Sequence, residues 1–223
     1  MELKEKLVSS FIAFENQTSI DNTFVHDMRT EAIKRFESEG FPAKKDEAWK
    51  YTSLKKVLKQ DFSVFPKKEF AVEYKDVQPY FIHDIDSYKI VFVDGKYASH
   101  LSETTHDGID ICLMSAALSK PKYQVVIENY FNKIAEKDSL TSLNTAFSNE
   151  GAYIHITKNK LVEKPIQIIH FSTGSEVALL LQPRNLIVVE ENAHVQIIER
   201  HQSLSDNPSL TNSVTEIFAA KRG

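Results

Sequence analysis

The sequence predicts an α+β chain in two parts: a mostly helical front, residues 1–135, carrying one small β-hairpin, and a β-rich back, residues 136–223. Three observations predict it. Apolar residues recur at helical spacing up to about residue 60. An Asp94-Gly95 pair sits between two β-rich runs. From about residue 150 onward, short β-branched and apolar runs follow one another with no helical stripe between them.

Leu7, Phe11 and Phe14 fall at i, i+4, i+7, and Val25, Met28, Ala32 and Phe36 make a second stripe. Asp21 is the expected N-cap of that second helix, and Gly40 sits where the chain must leave it. Phe41-Pro42 follows, and proline disfavours the α region at the residue before it. Lys44 to Lys59 reads as another helix or an irregular helical stretch. Lys89 to Val93, Asp94-Gly95 and Lys96 to Leu101 give a hairpin with a type I′ turn, since both turn residues tolerate positive φ. Pro121, then Ile127, Tyr130, Phe131 and Ile134, predict an amphipathic helix.

The expected strands of the back are Ala152–Thr157, Pro165–Phe171, Val177–Leu181, Leu186–Val189, His194–Arg200 and Val214–Ala219. Their spacing suits a sandwich, a jelly roll or the first coils of a β-helix. The last run stops four residues before Gly223. A final strand without a covering element is an open pairing edge, so the expectation is a piece of a longer protein.

Composition removes several functions. The chain has 223 residues, 42% hydrophobic and 26% charged, with a formal net charge of −4, which speaks against a dedicated nucleic-acid binder. Cys112 is the single cysteine, so no internal disulfide and no cysteine-based metal or cluster site can be made by this chain alone. Of six glycines, no two lie within ten residues of each other, which excludes a dinucleotide fingerprint and a phosphate loop. No signal peptide or membrane span is present in the sequence, so the expected location is cytoplasmic.

Four constellations carry possible chemistry. His155, His170, His194 and His201 lie in or beside expected strands, but no His-x-His or His-x-Asp/Glu pair shares a strand face, so each reads as a hydrogen-bonded, half-buried histidine. Glu190, Glu191 and Glu199, with Arg184 and Arg200, are the candidates for a carbohydrate-active cleft; adjacent Glu190 and Glu191 would face opposite ways on a strand, which favours a solvated surface. Ser172 to Ser175 reads as a turn and not a nucleophile elbow, and Cys112, between Ile111 and Leu113, reads as a buried, inert thiol. The Lys44–Lys59 stretch holds six lysines against Asp46 and Glu47, with Trp49 and Tyr51 interleaved, and is the candidate for a nucleic-acid-binding module. From these residues alone, a scaffold or interaction protein is favoured over an enzyme.

The lysine-rich stretch also carries a motif. Gly40-Phe-Pro42, then Glu47-Ala-Trp-Lys-Tyr-Thr-Ser-Leu54, resembles the G-x-P…E-x-W-(K/R)-Y-T-x-L signature of the SufB/SufD family of the SUF iron–sulfur assembly system, in its SufD form. Leu143-Asn-Thr-Ala-Phe147, Gly151-Ala-Tyr-Ile-His-Ile156 and Lys164-Pro-Ile-Gln-Ile168 are similar to that family's entry into its core. Glu191-Asn-Ala-His-Val-Gln-Ile-Ile-Glu-Arg-His201 and Asn212-Ser-Val-Thr-Glu-Ile217 resemble the coils that follow. The resemblance implies a helical N-terminal domain followed by a right-handed parallel β-helix. It also implies a non-ATPase scaffold that acts with the SufB paralogue and the ABC-type ATPase SufC in cluster assembly and iron acquisition, with sulfur supplied through a cysteine desulfurase. The cluster would be handled by the whole complex and not bound by this segment. The residues important to the family lie beyond this sequence, so no catalytic, cofactor-binding or metal residue is carried over, and neither a nucleic-acid nor a membrane partner is implied.

Overall fold

The computed structural model describes residues 2–18, 20–63, 71–103, 109–135, 137–174 and 178–223. Two helices open the chain. α1, Leu3–Gln17, buries Leu3, Leu7, Phe11 and Phe14, one side chain per turn on a single face. α2, Thr23–Glu39, buries Val25, Arg29, Ala32, Ile33 and Phe36. Its cap is Asn22 and not the expected Asp21: Asn22 Oδ1 accepts from the backbone N–H of Phe24 (3.1 Å) and Val25 (3.4 Å), while its Nδ2 donates to Leu118 O. The tertiary bond to Leu118 selects Asn, which can donate and accept at once. Gly40 ends α2 at φ +70°. The Lys44–Lys59 stretch takes the irregular of its two expected forms, with two short 3-10 turns, Glu47–Trp49 and Val57–Lys59.

After the short helix α3, Tyr74–Val77, come β1, Tyr88–Val93, and β2, Lys96–Tyr97, an antiparallel hairpin with Asp94 and Gly95 both at positive φ, as expected. Then follow β3, Ile109–Leu113, and two helices, α4, Met114–Ser119, and α5, Gln124–Tyr130. The expected helix through Ile134 is cut short at Tyr130. Asn132 turns to φ +59°, and the freed N–H groups of Asn132 to Ala135 converge on the carboxylate of Glu216, far along the chain. α6, Ser139–Ala146, starts with Asp138 accepting from Thr141 N–H.

From there the chain is strand: β4 Ala152–Ile156, β5 Ile166–Ser172, β6 Leu179–Leu181, β7 Arg184–Val189, β8 Ile197–Ser203, β9 Ser209–Thr211 and β10 Val214–Ala219. Val177 and Ser175, part of two expectations, lie outside the described residues. Three sheets result, in strand orders β2-β1-β5-β8, β10-β7-β4-β3 and β6-β9. Consecutive strands from β4 to β10 therefore visit the second, first and third sheets in turn, and every pairing among them is parallel. The turns repeat too. Asn159, Asn192 and Arg222, each three residues past the end of β4, β7 and β10, all have φ between 55° and 61°, and Asn192 Nδ2 donates to Asn159 Oδ1 at 3.1 Å.

Side chains at alternate positions of the first two sheets meet in one core: Ile90 and Phe92, Ile166 and Ile168, Ile154 and Ile156, Ile187 and Val189. Their outer faces are covered as well. Phe81, Leu101 and Val72 pack on Val91, Ile169 and Phe171; α4 and α5 pack on Tyr153, Leu186 and Val188; α1 and α2 pack with Phe62, Phe147 and Leu180. Double coverage explains why β5 and β7 are buried at every position and not at alternate ones. No helix among the described residues is long and apolar enough to cross a membrane.

Candidate functional site

Parallel pairing of β5 with β8 places Ile166 opposite Ile197, Ile168 opposite Glu199 and His170 opposite His201. Alternation then sends Glu199 and His201 to the face that carries His170. The two imidazoles stack, with ring centroids 4.5 Å apart and planes 6° from parallel, and Phe92 stacks on the other side of His170 at 5.0 Å. Glu199 Oε1 lies 3.4 Å from His170 Nε2 and 3.3 Å from His201 Nε2. The carboxylate is fixed from the second sheet: Asn185 Nδ2 donates to Oε1 and Thr215 Oγ1 to Oε2, both at 2.8 Å, while Asn185 also donates to Thr215 Oγ1 at 3.0 Å.

His170 is buried, with 6% of its side chain accessible, whereas Glu199 keeps 23% and His201 38%. Its Nε2 is near the carboxylate but off the line a hydrogen bond needs, and it has no hydrogen-bond partner among the described residues. Burial lowers the His170 pKa and so favours the neutral ring. Burial pushes the Glu199 carboxyl up, but the two imidazoles and the Thr215 hydroxyl outweigh it and hold the group well below the usual carboxylate range. Two imidazole nitrogens and one carboxylate oxygen, all within 4.8 Å of one another, make the group of the described residues with the donors a cation needs.

The other candidates are dispersed. His155 is hydrogen-bonded at both ring nitrogens, to Tyr153 OH at 3.3 Å and to Glu190 at 2.9 Å. Glu190 is also held by the Lys158 backbone N–H, which with His155 lowers its pKa, and Glu191 pairs with Lys158 Nζ. Both follow β7, whereas Glu199 lies within β8, so the three glutamates do not form one cleft. His194 is exposed beside β8. Lys44, Lys45, Lys50, Lys55, Lys56 and Lys59 are exposed, and Trp49 is half-buried. Burial, with Asp110 nearby, raises the Cys112 thiol, so it is not a thiolate.

Arg184 belongs to a different constellation. Fully buried, it donates to Glu216 at 2.6 Å and to Asn144 and Thr145 at 3.2 and 3.1 Å, with its guanidinium over the Phe131 ring. Next to it a Cβ on Gly151, at φ +141°, would meet Arg184 O at 2.0 Å. The motif residues Asn144, Thr145, Gly151 and Glu216 thus converge on one buried cluster that locks α6 and the 131–135 turn onto β7 and β10. A separate cavity of about 680 Å³ opens between α1, the β1–β2 turn and β6. It is lined by Lys6, Lys96 and Glu150, whose pKa burial pushes up to about 7.

The sequence weighs His170 and His201 as metal ligands and Glu199 as part of a cleft, each by itself and each with the bland reading preferred; the three as one group are what it does not show. The pattern sought was His-x-His or His-x-Asp/Glu; the strand carries the reverse order, Glu199-Arg200-His201, which places both side chains on one face. The third member becomes visible only once β5 and β8 are in register.

Comparison with known proteins covers nearly the whole chain. A family model described as the SufBD protein N-terminal region matches residues 1–168, and one described as the SUF system FeS cluster assembly SufBD core domain matches residues 170–223. An iron–sulfur cluster assembly SufBD family protein of Synechocystis is 26% identical over 79% of this chain and 41% of its own length. The iron–sulfur cluster assembly protein SufD of Escherichia coli is 24% identical over 77% of this chain and 38% of its own. That of Bacillus subtilis is 30% identical over 42% of this chain and 22% of its own. The chain spans less than half the length of each of these relatives.

Proposed function

Because the chain belongs to the SufB/SufD family of SUF-system iron–sulfur cluster assembly proteins, we propose that it serves as a SufD-type, non-ATPase scaffold subunit. It works in the cytoplasm with a SufB paralogue and a SufC ATPase, on sulfur supplied through a cysteine desulfurase, in cluster assembly and iron acquisition. The observation that carries this reading is the succession of the two family regions, N-terminal then core, along nearly every residue. The fold supports it in a second way. Strands that visit three sheets in strict rotation, with parallel pairing and a positive-φ residue three positions past β4, β7 and β10, fit the first coils of a parallel β-helix, and parallel crossovers favour the right-handed form. On this reading residues 136–223 open the β-helix core, and β1 and β3, from the 1–135 domain, extend its first two sheets.

The carbohydrate and nucleic-acid alternatives gain no support, since Glu190 and Glu191 are engaged by His155 and Lys158 and the formal net charge of the chain is −4. The test is co-expression of the full-length gene product with SufB-like and SufC-like partners, followed by purification through one tagged component. Recovery of a three-component complex is the expected result. Failure of the full-length product to co-purify with either partner would refute the scaffold assignment.

A further inference from the structure

We propose that His170, Glu199 and His201 form a binding site for a divalent first-row transition-metal ion, with both imidazole Nε2 atoms and one Glu199 oxygen as the protein ligands. The donor set is the first argument. Two imidazoles and a carboxylate with room for further ligands suit Fe²⁺, Co²⁺ or Zn²⁺, and are a poor match for Mg²⁺ or Ca²⁺, which take mainly oxygen ligands.

The spacing is the second. Ligands bound at about 2.1 Å to one ion stand about 3.0 Å apart in an octahedron and about 3.4 Å apart in a tetrahedron. Glu199 Oε1 is 3.4 Å and 3.3 Å from the two Nε2 atoms, and all three donors lie within 4.8 Å of one another, so the two nitrogens draw together on binding. The third argument is the orphaned nitrogen. His170 Nε2 is buried without a hydrogen-bond partner among the described residues, and buried polar atoms in native proteins are normally satisfied. A metal ion in the gap satisfies it.

The surroundings match a metal site as well. Asn185 and Thr215 orient the carboxylate from the facing sheet, as the outer hydrogen-bonding partners of metal ligands do, and Phe92 closes the far side of His170 with an apolar ring. The stacked rings present parallel and not converging lone pairs, so binding requires one ring to turn. His201, the exposed one, can do so by rotating about its Cβ–Cγ bond. The competing reading is a hydrogen-bonded His–Glu–His cluster that holds β5 to β8 and takes no ion.

The site stands on its own geometry and does not depend on the assembly role proposed above. The experiment is anaerobic titration of the full-length protein with Co²⁺, followed by visible d–d absorption and calorimetry, on wild type, His201→Ala, Glu199→Gln and Thr215→Val. Expected are one Co²⁺ per chain with d–d bands that Fe²⁺ and Zn²⁺ abolish in competition. Affinity should fall by roughly 100-fold or more in His201→Ala and Glu199→Gln, and by about 10- to 100-fold in Thr215→Val, whose residue only orients the carboxylate. Circular dichroism of His201→Ala, a half-exposed position, should match wild type, so loss of metal is separable from loss of fold. Absence of Co²⁺ binding, or binding unchanged in both His201→Ala and Glu199→Gln, overturns the proposal and leaves the hydrogen-bonded cluster. Failure to assemble with SUF partners bears on the previous proposal alone.

Discussion

The Arg184–Glu216 pair should be worth several kcal/mol, and unequally for its two members. Both side chains are essentially removed from water, at 0% and 1% accessible. Glu216 accepts from Arg184 at 2.6 Å and from the backbone N–H groups of Asn132, Lys133, Ile134 and Ala135 at 2.7 to 3.3 Å. Removing one partner of a buried pair costs about 3–5 kcal/mol, because the other charge stays buried and uncompensated. Glu216→Ala also strips the acceptor from four N–H groups, so about 5 kcal/mol is expected. Arg184→Met loses the guanidinium over Phe131 but keeps an unbranched side chain and leaves the carboxylate its four N–H donors, so about 3 kcal/mol is expected. The double variant should cost little more than Glu216→Ala alone, a coupling of about 2–3 kcal/mol. Urea denaturation at pH 7 measures all four species. Additivity to within about 0.5 kcal/mol, or a Glu216→Ala cost below about 1 kcal/mol, would refute the reasoning. A pH limb should accompany it. Burial raises the Glu216 carboxyl, but the Arg184 charge and the Asn132 and Ile134 N–H groups outweigh burial and hold it below its ordinary value of 4.5. Its contribution is then fully present above pH 4.5 and lost as the pH falls through the depressed value.

Glu150 predicts the opposite limb: its folded pKa of about 7 exceeds the ordinary 4.5, so stability should decline by up to about 3 kcal/mol as the pH rises from 4.5 through 7. Glu150→Gln should flatten that decline in denaturation midpoints at pH 5 and 8, and an unchanged slope would contradict it. Asn22→Ala removes the α2 cap and the bond to Leu118 and should cost about 1–2 kcal/mol, whereas Asp21→Ala should be within about 0.5 kcal/mol of wild type. Gly151→Ala should leave little folded protein by circular dichroism, because its Cβ would overlap the Arg184 carbonyl and its φ is +141°; a folded, stable variant would show that β7 can yield there.

Local rules carried the sequence reading where local physics decides. The stripes of α1 and α2, the Asp94-Gly95 turn and the six runs after residue 150 all depend on neighbours within a few positions. The reading missed what depends on distant partners. The helix after Pro121 stops at Tyr130 because a carboxylate from β10 collects the N–H groups of the next turn. β3 went unrecognised because Ile109 to Leu113 becomes a strand through pairing with β4, and β9, three residues long, through pairing with β6. The His170–Glu199–His201 cluster spans two strands, so no single-strand pattern could contain it. The motif residues Asn144, Thr145, Gly151 and Glu216 are scattered along the sequence, and what joins them, a shared contact around Arg184, appears only in three dimensions.

The pairing scheme also has a consequence in time. β7 adds to β4, β8 to β5, β9 to β6 and β10 to β7, so each late strand needs only a partner made about one circuit earlier. The long closures come first, when α6 packs on α2, Ile166 reaches Tyr88 and Leu179 reaches Ser63. Distant closures are entropically the slow ones. A ribosome delivering this chain from its N-terminus therefore meets the slow closures before β7 emerges, and β7 to β10 can then dock as they appear. In pulse-labelled hydrogen exchange during refolding, amides of β1 and β5 should gain protection before those of β8 and β10.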